Sequence, residues 1–548
     1  MLRTFADSLI IIAVMKPPCD EAAIRSFPAT GSCPPQAGTW ILAAAILGSS
    51  MAFIDSTVVN VALPALQSSL GATVIDVQWV VESYGLFLGA LILVGGSVGD
   101  LLGRRRIFMA GVTVFAIASA WCGFAPTIHQ LVIARAVQGV GAAFLTPGSL
   151  AIISASFEEK ERGRAIGTWS GFTAITTAVG PVLGGWLIQH ASWRWAFFIN
   201  LPLAAAVIAI SLRYVSESRS ATAKHVDWWG AVFATLGLGG LIYGLIESSQ
   251  FGWSNPLVWG SLLIGGVCIL AFTFVEARVD APMVPLELFQ SRTFSGANLL
   301  TLFLYAALGI FFFLFPLDLI QVQGYSATAT GAAALPLILL MFLLSRWSGG
   351  LVARFGPRLP LMVGPLITAA GFVLFAIPAI GGSYWSTFFP AFVVLGFGMA
   401  ISVAPLTTVV MSAVDQDRAG TASGINNAVA RIASLLAIAV LGIVMVNSFG
   451  NRLDRSLTGL PIPFAVRKNL ESNRVQLAAL EIPAGLDPNT SAEIKAAIDQ
   501  AFVYGFRLVM LICAGLSVLS AAHAGLLIGS KIGAMPSNAG VHPRSART

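Results

Sequence analysis

The sequence predicts an all-α integral membrane protein with fourteen transmembrane spans: two six-helix bundles related by a pseudo-twofold axis, with two extra helices between them. Three observations carry this reading. Of 548 residues, 56% are hydrophobic and only 10% charged, with a mean hydropathy of +0.83, a composition implausible for a soluble chain of this length. Apolar runs of about 20 residues, enough to cross a bilayer, recur between short charge-bearing loops. The chain also repeats itself. SGGLVARFGPR at 348–358 is a worn copy of the turn in ALILVGGSVGDLLGRRRIFMAG at 90–111, with Gly349, Gly356 and Arg358 standing where Gly96, Gly103 and Arg105 stood, and Ala353 in place of Asp100. GFGMAISVAP at 396–405 echoes GVGAAFLTP at 139–147. Two bundles of matching topology imply an axis along the membrane normal and a cavity between them at mid-membrane.

In chain order, residues 1–37 are expected to be a disordered cytoplasmic lead-in. Its short apolar stretch Leu9 to Met15 lacks a convincing cleavage site, and Met15 is itself a possible start. The spans fall at about 39–63, 78–99, 106–125, 129–153, 164–188, 195–216, 228–247, 257–276, 294–320, 327–353, 358–380, 386–411, 420–446 and 501–529. Residues 38–217 then make the first bundle, 218–292 the two inserted helices with their linkers, 293–530 the second bundle, and 531–548 a cytoplasmic tail. Loops after even-numbered spans carry Arg104 to Arg106, Lys160, Arg162, Arg213, Arg278, Arg354 and Arg418, whereas short loops after odd-numbered spans carry little beyond Arg194. Basic loops stay in the cytoplasm, so both termini are expected there. The long outer loop 447–500 includes SAEIKAAIDQAF at 491–502, which reads as a short amphipathic helix lying near the surface.

The net charge of +6 sits in short loops, where it sets orientation and does not point to nucleic acid. Cys19, Cys33, Cys122, Cys268 and Cys513 form no CxxC pair, so neither a disulfide framework nor a metal site is expected. The sequence has no Walker phosphate loop, no HExxH and no nucleophilic constellation in context. An enzyme is not expected, and the only coupling agent foreseen is a proton.

Charges inside spans single out the candidate site. Asp55 in AFIDSTVVNVALP, Glu82 in WVVESYGLF and Arg135 in LVIARAVQGVGAA belong to spans one, two and four. Rise per residue puts all three in the outer half, roughly 8 to 16 Å below the surface, where they can meet. An ionised side chain in hydrocarbon costs at least about 2.5 to 3.5 kcal/mol, so such groups face a cavity and pair. Burial raises a carboxylate's pKa and a guanidinium lowers it, a balance suited to proton exchange. Asp55 is the first choice for the exchanging carboxylate and Glu82 the second. The alternative, in which Arg135 only neutralises an acid and holds the bundle together, stays open. In the fifth span, Gly167 with Gly171 and Gly180 with Gly184 each share a face, and Pro181 removes a backbone donor, which predicts tight packing with one kink. Asn298, Tyr305, Asn426, Asn427 and Arg431 are candidates for lining the cavity. Asp318 and Glu247 are expected at the interface, and His523 as a packing histidine.

GGSVGDLLGRRR resembles the signature loop of the major facilitator superfamily, ARAVQGVG its fourth-span arginine motif, and GPVLGG the antiporter motif of its drug exporters. With IDSTVVNVALP, WRWAFFINLP and fourteen spans, residues 38–530 are similar to the fourteen-span drug:proton antiporters. The resemblance implies that Asp100 with Arg104 and Arg105, and Gly96 and Gly103 at the turn, latch the cytoplasmic face shut in the outward-facing state. It implies that Arg135 supports proton coupling, and that Gly180, Pro181, Gly184 and Gly185 shape a gate against leak. The expected activity is proton-coupled export of hydrophobic or amphiphilic small molecules by a monomer in the plasma or inner membrane, with a periplasmic adaptor as an open partner. A same-fold transporter for a dedicated metabolite, lipid or antibiotic is the nearest alternative, and a membrane sensor or enzyme the more distant one. Glu82 departs from the neutral residue expected there, and the second latch has lost its acid.

Overall fold

In the computed structural model, which describes residues 37–529 apart from 158, 220–225, 280–281, 416–417, 459, 461 and 484–485, the described chain is helices and short connections without a strand. The lead-in, the tail, Cys19 and Cys33 lie outside the described residues. Fourteen helices are long and apolar enough to cross a membrane: α1 Ala37–Leu70, α2 Val74–Leu102, α3 Arg104–Phe124, α4 Ile128–Ser156, α5 Glu161–His190, α6 Trp195–Tyr214, α7 Trp228–Phe251, α8 Pro256–Glu276, α9 Arg292–Val322, α10 Ala327–Ser345, α11 Arg358–Phe375, α12 Tyr384–Ser412, α13 Gly420–Leu457 and α14 Pro488–Leu527. Their ends follow local chemistry. Thr73 and Asp76 form a reciprocal capping box at α2, which satisfies two otherwise orphaned backbone donors. Asn255 before Pro256 and Asp487 before Pro488 cap α8 and α14, with proline placed where its missing N–H costs nothing.

The long outer loop differs from expectation. SAEIKAAIDQAF is not a separate surface helix. It is the first part of the 40-residue α14, and Ile494, Ile498, Ala501 and Phe502 are buried in the main core. Their i, i+4, i+7 spacing is the apolar stripe that suggested a surface helix, but here it faces protein. α13 likewise runs on to Leu457. The remaining connection carries a short helix, Phe464–Ser472, and a 3₁₀ turn, Arg474–Ala479. That turn touches α1 and α2 as well as α13, α14 and the end of α9. Its Leu477 is fully buried in the core at φ 54°, a conformation that disfavours a branched side chain.

α1 packs against α4, α5 and α6, and α2 and α3 against α4; in the second set α9 packs against α13 and α14, and α11 against α12 and α14. Between the sets, α2 meets α13 and α5 meets α10. The second span of each half thus lies on the fifth span of the other, as a pseudo-twofold axis requires. The inserted α7 touches both α2 and α13, while α8 packs on α7 and is otherwise mostly exposed.

The halves are drawn together at the end away from the arginine turn. There Gln321 Nε2 donates to Gln67 Oε1 at 2.8 Å, Thr328 Oγ1 donates to Gln189 Oε1 at 2.6 Å, and Gln78 Nε2 donates to the Ile438 carbonyl at 2.8 Å. A Cβ at Gly185 would strike the backbone of Ala327, and one at Gly331 the carbonyl of Pro181. Gly331→Val is therefore expected to force this end open. Spin labels at the exposed Ser68 and Ser383 would report it as a shift to longer distances, and an unchanged distribution would contradict this account of the seal.

Candidate functional site

The polar centre lies inside the first half, where α1, α3, α4 and α6 converge. Asp55 and Arg135 form an ion pair at 2.5 Å, with side chains 0% and 1% exposed respectively. The arginine is held at two of its three nitrogens: Nε donates to the Val80 carbonyl at 3.0 Å, and Nη1 donates both to Asp55 and to Gln138 Oε1 at 2.7 Å. Gln138 Nε2 donates to Asp55 Oδ1 at 2.8 Å and to Ser119 Oγ at 2.7 Å. Asn200 Nδ2, at the start of the main part of α6, donates to the same two oxygens at 3.3 and 3.2 Å. The Tyr84 ring covers the guanidinium, with 4.1 Å from Arg135 Cζ to its centroid. Taking two charges out of water costs several kcal/mol each. The network offsets this by giving every carboxylate oxygen a donor and the guanidinium several acceptors.

Glu82 stands apart from this network. It is 0% exposed and neither carboxylate oxygen has a hydrogen-bond partner. Helical spacing puts it on the face of α2 that carries Gln78, Gly85 and Gly89, and these meet Ile438, Leu435 and Arg431 of α13. The expectation that all three charges meet is corrected on this point: Glu82 lies at the seam between halves, whereas Arg135 turns inward to Asp55. Ser119, Gln138 and Asn200 were missed because neutral polar residues carry little signal. Gln138 lies one turn from Arg135 in ARAVQG, and Asn200 lies in WRWAFFINLP, so their placement in recognised motifs was the available clue.

At the arginine turn, Arg104 Nε pairs with Asp100 Oδ1 at 2.8 Å within one stretch of chain. The backbone N–H groups of Arg105 and Arg106 donate to Glu217 Oε1 and Oε2 at 3.1 and 3.2 Å, a carboxylate that the sequence reading had not singled out. Gly103 sits at φ 124°, and a Cβ there would meet Glu217. All these partners belong to the first half. Of the glycines just before this turn, Gly95 abuts the Ala143 backbone, Gly96 approaches only Pro147, and Gly99 meets nothing within 4 Å.

In α5, Gly180 packs on Thr57 and Gly184 on Val58 of α1, while Gly185 and Pro181 face α10. Gly167 and Gly171, expected to pack tightly, meet nothing within 4 Å. In α13, Asn426 Nδ2 donates to Asn298 Oδ1 at 3.2 Å and to Thr301 Oγ1 at 2.7 Å, Asn427 is exposed, and Tyr305 and Arg431 are half-buried. Asp318 lies near the outer end of α9, 2% exposed within a π-turn and with Oδ1 unpartnered. Glu247 accepts from Trp79 Nε1 at 2.8 Å and is also buried. His523 is half-buried, and its side chain bonds only the Leu519 carbonyl of its own helix. Cys122, Cys268 and Cys513 are buried and free.

The profile of the Major Facilitator Superfamily matches residues 45–438. The chain is similar to the multidrug resistance protein Stp of Mycobacterium tuberculosis, at 34% identity over 85% of this chain and 87% of that protein. It is similar to the tetracenomycin C resistance and export protein of Streptomyces glaucescens, at 32% identity over 88% and 90%. It is similar to the puromycin resistance protein of Streptomyces alboniger, at 34% identity over 74% and 81%. Among solved structures, a bacterial homologue of the human lysosomal transporter Spinster, in an inward-facing and occupied conformation, superposes with a TM-score of 0.61 at 19% identity, covering 91% of this chain and 97% of that one.

The ion pair predicts a pH-dependent stability defect when its cation is removed. Arg135→Gln leaves Asp55 buried without a counter-charge, expected to destabilise by about 3–5 kcal/mol at neutral pH. The orphaned carboxyl regains neutrality by taking a proton, which favours the folded state at acid pH. Thermal unfolding in detergent should show the gap to the unsubstituted protein narrowing as pH falls; a gap that widens would contradict the pairing.

Proposed function

The chain belongs to the Major Facilitator Superfamily, and from that premise we propose that it is a proton-coupled antiporter exporting amphiphilic toxic compounds by alternating access. That it is a multi-pass membrane transporter and not an enzyme follows from the family. The observation that carries the finer reading is the sealed Asp55–Arg135 pair with its Gln138 and Asn200 donors.

Placing the basic loops in the cytoplasm by the positive-inside rule puts both termini inside a plasma or inner membrane. The hydrogen-bonded seal between halves then faces outward, and the conformation is inward-facing. An intact ion pair is the deprotonated form of the site. This conformation accordingly corresponds to a transporter that has released its proton inward and awaits cargo. When the outer end opens, a proton taken by Asp55 removes the charge that Arg135 neutralises, and its donors must rearrange. That gives protonation a different free energy in the two conformations, which is the requirement for exchange. Asp55 is the exchanging carboxylate in this reading and Arg135 its tuning partner. Glu82, lacking a partner, is the second titrating group at the seam.

The remaining parts take complementary roles. Asp100, Arg104 and Arg105, with Gly96 and Gly103 at the turn, bond within their own half here, which suits a cytoplasmic latch that is open. Gly180, Pro181, Gly184 and Gly185 hold α5 against α1 and α10, which suits a gate against leak. Asn298, Tyr305, Asn426, Asn427 and Arg431 are the polar groups proposed to line a cavity between the halves. The proton is the only coupling agent invoked, the active unit is a monomer, and a periplasmic adaptor is a further candidate partner. The multidrug resistance protein Stp and the tetracenomycin C and puromycin resistance relatives favour export of antibiotics and similar compounds. They equally favour a second reading in which the cargo is one dedicated antibiotic.

Asp55→Asn, which keeps the shape and removes the exchangeable proton, is expected to reduce pH-gradient-driven transport of rhodamine 6G in proteoliposomes to the protein-free background while the protein still inserts. Full transport by the variant would sink the assignment.

A further inference from the structure

Resting on the export reading, we propose that the cavity holds an anion-recognition site centred on Arg431, so that the cargo includes amphiphiles bearing a carboxylate or phenolate. Arg431 lies eleven residues into α13 from Gly420, roughly 16 Å along the helix at 1.5 Å per residue. That is near the middle of a hydrocarbon core of about 30 Å, too deep for the side chain to snorkel to either surface. Its Cβ stands 3.6 Å from the Cβ position of Gly89 on α2, so it projects at the junction between halves and not toward lipid. It is half-buried, so part of the side chain is left uncovered by protein in this conformation. It takes part in none of the ion pairs among the described residues and makes no hydrogen bond there.

Five N–H donors and a permanent positive charge are thus left unspent at mid-membrane, a placement that marks a functional group awaiting a partner. The protein does not supply that partner. Asp55 is saturated by Arg135, Gln138 and Asn200, and Glu82 lies on α2 between the contacts to Ile438 and Leu435 and forms no ion pair with Arg431. A second unspent donor stands nearby. Tyr84 is 4% exposed, its hydroxyl has no hydrogen-bond partner, and it lies within electrostatic reach of Arg431. One turn from Arg431 toward the arginine end, exposed Asn427 gives its Nδ2 to the Ser423 carbonyl. A guanidinium that binds bidentately suits a planar oxyanion better than a cation. The Tyr84 hydroxyl is buried in this conformation and its ring rests on Arg135, which links the neighbourhood of Arg431 to the proton site.

Fluorescein and rhodamine 6G share a xanthene core and differ in charge, and fluorescence anisotropy measures binding of each to the purified full chain in detergent without requiring transport. Arg431→Gln is expected to weaken fluorescein binding roughly ten- to a hundredfold and to lower the fluorescein-to-rhodamine affinity ratio by a similar factor. Arg431→Lys should restore part of the loss. Tyr84→Phe, which keeps the ring over Arg135 and removes only the hydroxyl, should weaken fluorescein severalfold, and it serves should Arg431→Gln fail to fold. The proposal is overturned if the unsubstituted protein does not bind fluorescein, or if the affinity ratio is unchanged in both Arg431→Gln and Tyr84→Phe. A protein that binds fluorescein through Arg431 yet transports neither dye would retain this site and lose the export reading.

Discussion

The arrangement depends on one constraint: a charge pair buried to exclusion inside the first half. Asp55 and Arg135 are tolerable there only because the guanidinium and carboxylate meet directly and Gln138, Asn200 and the Val80 carbonyl take up the remaining valences. Asp55 lies on α1, Arg135 and Gln138 on α4, Asn200 on α6 and Val80 on α2, so the pair also fixes how these four helices sit against one another. A site so fully satisfied holds its helices in one arrangement more firmly than apolar contact alone would.

The second half solves the same packing problem without charge. In the register that lays Gly139 on Gly396, Phe392 takes the place of Arg135 and Leu395 that of Gln138. Phe392 belongs to an aromatic cluster with Phe311, Phe315, Phe375 and Phe388, with ring centroids 4.9 Å apart for Phe315–Phe392 and for Phe375–Phe392. Edge-to-face rings fill this core with no protonation state to change. At these equivalent positions the duplicated chain thus carries a buried charge pair in one half and an aromatic cluster in the other. The lost acid of the second latch, Ala353, fits the same division.

Span number and helix type were legible because hydropathy has one meaning in a membrane. Partners were less so. The pairing of Asp55 with Arg135 followed from the cost of burying either alone, but the same cost argument drew in Glu82, whose helix face points at α13 instead. Periodicity told that 491–502 is amphipathic but not whether protein or lipid headgroups would cover it; the core supplied by α9, α11 and α13 decided that. Likewise glycine spacing marks a close approach without naming the neighbour. Gly180 and Gly184 found α1, while Gly167 and Gly171 face open space in this conformation.

That last contrast bears on how the halves move. Near the outer seal, Gly185 and Gly331 allow α5 and α10 to touch backbone to backbone, a contact with no side chain to interdigitate and little to hold it beyond dispersion and a few hydrogen bonds. Toward the arginine end of α5, Gly163, Gly167 and Gly171 present the same bare surface with nothing yet against it. Contacts of this kind can be exchanged at small cost, because no knob must leave a hole. A helix bare at both ends can therefore trade one close approach for another as the halves rock, while the ionic core of the first half keeps its own four helices moving as a unit.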